Sequence, residues 1–283
     1  QSPYWVINRT EINETRDRII GFLSGKYKIT PWLTLSGRAN LDRTFDQGEN
    51  KISLGTILYS RDGGDYSKNT VVVTEKWFDA MLEGNNKITK DLKIDYRVGA
   101  IFQDSKYDYN ASGAGGLNVT NKFSLNFAKA PSLSSAFSEV QTQSLYGQVN
   151  LSFKDYLYLD ASLRNDWDSR LPAPYSFSYP SVGISAILSD MLTLPTAFSF
   201  LKASVNYAEV GNGGKFGLLN TVYNYGQGAG NGFLQRSSTY PIPGLKPEIV
   251  KNLEFGIEAR FLNNRIGFTA TYYKSNSFNQ LLQ

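Results

Sequence analysis

Along most of this chain apolar and polar residues alternate one for one. From Leu253 to Phe261, the odd positions carry Leu253, Phe255, Ile257, Ala259 and Phe261, while Glu254, Glu258 and Arg260 hold even positions. Successive strand side chains point to opposite faces, so this segment has one face that avoids water and one that seeks it. A minimal connection at 262–264 leads into a second alternating run, Ile266 to Tyr273. The same period predicts ten long strands, near 18–29, 33–45, 74–85, 92–104, 142–153, 156–167, 181–189, 200–210, 251–261 and 265–275.

The connections alternate in length. Short ones fall at 30–32, 86–91, 154–155, 189–199 and 262–264; long ones fall at 46–73, 105–141, 168–180 and 211–250. A soluble sandwich has no reason to gather every long connection at one end of its strands, whereas an up-and-down membrane barrel has short periplasmic turns and long extracellular loops. Strand length agrees, since crossing a membrane takes about 9–11 residues against about 5–6 in an ordinary globular strand.

Sidedness is a second test. Leu33, Leu35, Gly37, Ala39 and Leu41 share a face, as do Leu145, Gly147, Val149, Leu151 and Phe153, and no charge interrupts either stripe. Opposite them lie Thr34, Ser36, Arg38 and Asn40, and Tyr146, Gln148 and Asn150. A charge at the middle of a lipid face costs roughly 2–4 kcal/mol, which accounts for Arg and Asp being confined to the other face. The expected fold class is all-β: a transmembrane antiparallel up-and-down β-barrel. The strands at 18–29, 74–85 and 181–189 alternate less cleanly, which leaves their register open. Because unpaired sheet edges have no hydrogen-bond partners in a bilayer, residues 1–283 are expected to be part of a larger barrel.

Composition narrows the chemistry. No run of apolar residues approaches the roughly 18 that a membrane helix needs. The chain contains no cysteine and no histidine, which removes disulfides, thiolate metal sites, the commonest general base and every Ser-His-Asp constellation. No cofactor or metal is expected, and the chain does not read as an enzyme. Its net charge of +4 comes from interleaved residues of both signs, so no nucleic-acid stripe stands out. Asp166 and Asp168 beside Trp167 could suggest a glycosidase pair, but nothing in the sequence supplies a carboxyl of raised pKa, and a strand end at a polar rim with an interfacial Trp is the simpler reading. Glycine clusters at 113–116, 211–214 and 226–232 match no phosphate-binding pattern and read as mobile loop tips.

The run 143–172, QSLYGQVNLSFKDYLYLDASLRNDWDSRLP, resembles the barrel of SusC/RagA-type TonB-dependent outer-membrane transporters. Further matches are Leu201 to Asn212, Gly244-Leu-Lys-Pro-Glu248 and the opening Pro3-Tyr-Trp with Asp17-Arg18. The resemblance implies a plugged barrel in the outer membrane of a Gram-negative bacterium, importing oligosaccharides or peptides with energy delivered through TonB. A SusD-like surface lipoprotein would cap it, and residues 1–283 would be a partial receptor β-barrel domain lacking its plug domain and its other strands. The class is about 22-stranded with a plugged lumen.

On this layout the long connections form an outward rim facing substrate or lid. Its aromatic candidates are Tyr107, Tyr109, Tyr175, Phe177 and Tyr179, then Phe216, Tyr223, Tyr225, Phe233 and Tyr240. Aromatic faces stack on sugar rings or pack on peptide side chains. Arg38, Asp160, Arg164, Glu254, Glu258 and Arg260 are expected to face the lumen and its plug, while the apolar stripes face outer-membrane lipid. The competing expectation is a soluble β-rich carbohydrate-binding or adhesive module, whose stripes would form a core between two sheets.

Overall fold

A computed structural model of the chain describes residues 2–57, 61–220, 223–226, 232–238, 240–242 and 244–280. A short helix α1 (Pro3–Arg9) precedes β1 (Thr10–Thr30), β2 (Leu33–Ile52), β3 (Asp65–Lys87), β4 (Leu92–Gly113), β5 (Ser132–Phe153), β6 (Leu157–Asp168) and β7 (Ser176–Ile187). A helical turn α2 (Leu188–Met191) follows, then β8 (Phe198–Asn212), β9 (Tyr223–Gly226), β10 (Phe233–Arg236), β11 (Glu248–Phe261) and β12 (Ile266–Phe278). Ten of these strands form one sheet in the order β1-β2-β3-β4-β5-β6-β7-β8-β11-β12, and β9 and β10 make a separate ribbon. The single ten-stranded sheet removes the soluble-sandwich expectation, which required two sheets packed on each other.

Every predicted long strand is present, but the long connections are shorter than their predicted bounds. β2 runs on to Ile52, β3 begins at Asp65, β4 extends to Gly113 and β5 starts at Ser132. These extensions, such as Asp104-Ser-Lys-Tyr-Asp-Tyr-Asn110, carry polar residues on both faces, so no apolar–polar period marks them. The turn-side ends were legible because turn chemistry marks them. At 154–155, Lys154 (φ 51) and Asp155 (φ 58) are both left-handed, and the Tyr156 N–H donates to the Phe153 carbonyl at 3.2 Å. That is a two-residue turn whose hand matches strand twist.

Cross-strand register settles which residues share a face. One row links Leu151, Leu159, Ile184, Val205, Phe255 and Tyr272; the next links Phe153, Leu157, Ala186, Ala203, Ile257 and Ala270. These apolar rows run unbroken across six strands. On the reverse face, Asn150, Asp160, Gly183, Asn206, Glu254 and Tyr273 form a row. The three strands of open register resolve as well. Val182, Ile184 and Ala186 join the apolar face through their partners. Arg18 reaches Asp42 and Arg38 reaches Asp79, which puts the even residues of β1 and the odd residues of β3 on the polar face. Their alternation was blurred because Ile20 and Phe22 sit on the polar side of β1, as does Trp77 on β3.

The apolar face is little buried. Leu145 is 52% and Leu163 58% exposed, and a continuous exposed patch of this kind marks a membrane or partner surface. Its upper edge is marked strand by strand by the first polar residue on that face: Asp104 above Phe102, Gln143 above Leu145, Asn165 above Leu163, Glu209 above Tyr207 and Lys251 above Leu253. No helix among the described residues is long and apolar enough to cross a membrane, so the strands themselves carry the apolar face.

Contacts group the chain into two units: Gln1–Leu23, Ala39–Trp77 and Gln103–Val140 in the first, and Ser24–Arg38, Phe78–Phe102 and Gln141–Gln283 in the second. The first has a small core of Tyr66, Ala114 and Leu117 with Phe123, Leu125 and Ala128 against it. The second has Leu171, Leu218 and Leu245, with Phe177 and Leu219 packed on them. Both cores lie among the long connections and the strand ends beside them, not within the membrane-height rows.

Candidate functional site

The polar face of the second unit is a field of paired charges. Arg38 Nε donates to Asp79 at 2.9 Å, Lys26 to Glu83 at 3.2 Å and Lys93 to Asp155 at 2.6 Å. Arg164 Nε donates to Asp166 at 2.7 Å and its Nη2 to the Ser144 hydroxyl at 3.0 Å, while the Tyr179 hydroxyl donates to the other Asp166 oxygen at 2.6 Å. Arg260 Nη2 donates to Glu258 at 2.8 Å, and its guanidinium lies 5.2 Å from the Phe200 ring centroid. Asp160 and Glu254 share the polar row described above. All six residues expected on the lumen face therefore lie on one face, spaced around the wall and not gathered into a centre.

A cavity of about 390 Å³ opens on this face, lined among others by Tyr146, Gln148, Ser162, Arg164, Tyr179 and Ser181. The Ser162 and Ser181 hydroxyls lie 2.6 Å apart. Hydroxyls, an amide and aromatic rings are suited to hydrogen-bonding and stacking a polar ligand.

The rim aromatics separate into groups. Tyr107 and Tyr109 lie on β4, Phe177 and Tyr179 on β7, Tyr223 and Tyr225 on β9, and Phe233 on β10; only Tyr175, Phe216 and Tyr240 occupy connections as expected. The correction follows from the polar-on-both-faces extensions and from the β9–β10 ribbon, too short to announce itself by period. Phe177 and Tyr179 stack at 5.7 Å and 28°. Tyr225 pairs with Leu234 across the ribbon, and the Arg236 guanidinium lies 4.7 Å from the Tyr240 ring centroid. Tyr107 and Tyr109 belong to the first unit.

Sequence reading missed the clamp at the base of the longest connection. Asp168 is 2% exposed; its carboxylate accepts the Arg170 backbone N–H at 2.9 Å and Arg170 Nε at 2.9 Å, and Arg170 Nη1 donates to the Gly214 carbonyl at 2.8 Å. Leu171, Leu218 and Leu245 close over the same junction. Both Asp166 and Asp168 are thus buried and engaged by arginines, which makes them structural at this rim. The signal lay in the spacing Asp166, Asp168 and Arg170 on one face, but its long-range partner Gly214 could not be read from spacing.

Two glycine clusters are packed, not mobile tips. A Cβ on Gly213 would lie 2.4 Å from the Asp168 carboxylate, and one on Gly116 (φ 101) 2.8 Å from the Asp62 carbonyl. Residues 227–231 of the third cluster lie outside the described residues.

In the first unit the Tyr66 hydroxyl donates to Glu49 at 2.6 Å, and Lys51 lies 3.0 Å from the same carboxylate. The Tyr66 hydrogen bond, and after it that of Lys51, holds the Glu49 carboxyl below the usual carboxylate range. Burial, followed by the bond to Glu49, pushes the Tyr66 phenol up.

A family model described as TonB dependent receptor-like, beta-barrel matches residues 8–283. TonB-dependent receptor P26 of Formosa agariphila is 27% identical over 242 residues, covering 80% of this chain and 24% of that protein. Among solved structures, the RagAB peptide transporter matches with a TM-score of 0.86 at 19% identity, over 97% of this chain and 31% of the other. The ferric-catecholate import receptor Fiu of E. coli K12 matches with a TM-score of 0.55 at 14% identity, over 95% of this chain and 42% of the other. The chain thus spans well under half the length of these proteins, and the structural likenesses speak for its fold.

Proposed function

We propose, from the premise that this chain belongs to the TonB dependent receptor-like β-barrel family, that it is a wall and rim section of an active importer in the Gram-negative outer membrane. The whole protein would take up oligosaccharides or peptides with energy delivered through TonB. The observation that carries this reading is the two-faced sheet, with unbroken apolar rows on one side and arginine–carboxylate pairs on the other.

Each part of the wall then has a role. The apolar rows face lipid. The polar face meets a plug supplied by another part of the protein, with Arg38, Asp160, Arg164, Glu254, Glu258 and Arg260 as its contact points. The stacked pair Phe177 and Tyr179, together with Tyr107, Tyr109, Tyr175, Phe216, Tyr223, Tyr225, Phe233 and Tyr240, faces substrate or a SusD-like surface lipoprotein. The cavity beside Tyr146 and Tyr179 offers hydroxyls and rings to either substrate class.

The test is uptake. Cells lacking the full-length gene, complemented with wild type, receive fluorescent oligosaccharide and peptide pools with and without a protonophore. Accumulation of one pool that needs both the gene and the proton gradient is expected. Accumulation that survives loss of either the gene or the gradient would refute the reading.

A further inference from the structure

The upper part of β5 has a neighbouring strand on one side only. β6 ends at Asp168, which pairs with Thr142. One further pair follows: the Gln141 N–H donates to the Ser169 hydroxyl at 2.9 Å, and the Gln141 carbonyl accepts the Ser169 N–H at 3.0 Å. Beyond Gln141 the strand continues to Ser132, with β4 as its remaining partner. Main-chain groups alternate sides along a strand with a period of two. Gln141 turns its N–H and carbonyl toward β6, so Phe137, Ser135 and Leu133 turn theirs the same way, past the end of β6. Among the described residues no backbone hydrogen bond meets them there.

We infer that this edge binds a short peptide in extended conformation, which adds to the sheet as a strand beside β5. As a capture point for imported substrate it rests on the importer reading above. The edge is open: Ser132 to Phe137 is exposed throughout, Leu133 at 76% and Phe137 at 62%. The run Ser-Leu-Ser-Ser-Ala-Phe holds no proline and no charge, the devices that ordinarily blunt such an edge. It also stands in water, since Phe137 lies six residues beyond Gln143, or about 20 Å at 3.4 Å per residue.

The chemistry selects a polypeptide. Three alternate residues present N–H and carbonyl groups at a repeat of about 6.8 Å, two strand residues, which another extended main chain matches and the hydroxyls of an oligosaccharide do not. Leu133 and Phe137 flank Ser135 on one face, so apolar residues opposite them add cross-strand contact. Length selects a short free peptide over a folded partner or a second copy. From Ser132 to Phe137 the strip is about 17 Å long and one strand wide, far short of the roughly 1,200–2,000 Å² that a stable protein interface buries.

The experiment uses the full-length protein purified in detergent, with hydrogen exchange resolved to single amides along β5. The probe is a blocked heptapeptide of alternating threonine and valine. It should slow exchange at Leu133, Ser135 and Phe137 and leave the Ser134 and Ala136 amides, which face β4, unchanged. The same peptide N-methylated at every residue, and a linear glucose heptasaccharide, should protect none of them. Ser135→Pro removes one donor from the free side without touching the β4 ladder. It should raise the peptide concentration for half-protection at Leu133 and Phe137 about fivefold, the size of one hydrogen bond, while Ser134→Ala should match wild type. If Ser135→Pro does not assemble, the N-methylated peptide makes the same discrimination on the wild type. Protection by the N-methylated peptide or the sugar, an unshifted Ser135→Pro titration, or no protection at the three amides would each overturn the assignment. So would amides already slow before peptide is added, which would put another segment of the protein or a second copy on the edge. Protection without gene-dependent uptake of the peptide would count against the importer reading and leave the binding edge standing.

Discussion

Ile257 sits midway along the apolar stripe of β11, in a row between Ala203 and Ala270, and it is 42% exposed on the face assigned to lipid. Replacing it by Arg puts a charge near the bilayer midplane, where the cost is roughly 2–4 kcal/mol. Its small neighbours offer no polar partner. Moving the same substitution four residues along the strand to Leu253, about 13 Å away at 3.3 Å per residue, brings it beside Lys274 at the upper edge, where the cost falls to roughly 0–1 kcal/mol. On the reverse face, Glu258→Gln removes one partner of an exposed ion pair with Arg260, a change within about 1 kcal/mol. Folding of the full-length protein into lipid vesicles under a urea titration reads all three. At 1.36 kcal/mol per factor of ten, Ile257→Arg should lower the folded-to-unfolded ratio by roughly thirty- to a thousandfold, Leu253→Arg by less than about tenfold, and Glu258→Gln hardly at all. The face assignment fails if Glu258→Gln proves the costliest of the three, or if Ile257→Arg and Leu253→Arg are equal.

The rim offers further tests. Arg170→Ala leaves the buried Asp168 charge without its guanidinium, a loss worth roughly 3–5 kcal/mol at a buried pair; hydrogen exchange should quicken in the described parts of 213–247 while the β5–β6 rows stay protected. Leu171→Ala should loosen the same junction by roughly 2–5 kcal/mol, seen as faster proteolysis between β8 and β11 with no change in outer-membrane level. In the first unit Glu49 is held below its ordinary value by Tyr66 and Lys51, so its contribution is present above the unfolded pKa and is lost as pH falls through the lower folded one. Exchange protection around Tyr66 should therefore fall on acidification below about pH 4.5, and Glu49→Gln should flatten that dependence; an unaltered profile in the variant would show that another group sets it.

Much of the wall was readable because two requirements coincide on each membrane-height strand. At Leu157 to Leu163 the lipid demands an uncharged stripe and the other face tolerates Asp160 and Arg164, so a period of two survives. Beyond the membrane, as at Asp104 to Asn110, water wets both faces and the period vanishes while the hydrogen-bonded ladder continues. That is why Tyr107, Phe177 and Tyr179 were placed on loops. The clamp of Asp168, Arg170 and Gly214 escaped for a different reason, since it joins residues far apart in sequence through a backbone carbonyl that any residue would offer.

The paired rows also carry a pitch. Phe153 adjoins the β5–β6 turn, yet four strands further along the same row Ile257 stands four residues above the β11–β12 turn. A climb of about 13 Å over a lateral run of about 19 Å corresponds to strands inclined by about 35° to the membrane normal, close to what transmembrane barrels adopt. A cylinder of about 22 strands closed at that stagger has an internal span of roughly 40 Å, far wider than side chains can fill. A full wall closed at this stagger would leave a bore that something other than its own strands has to fill.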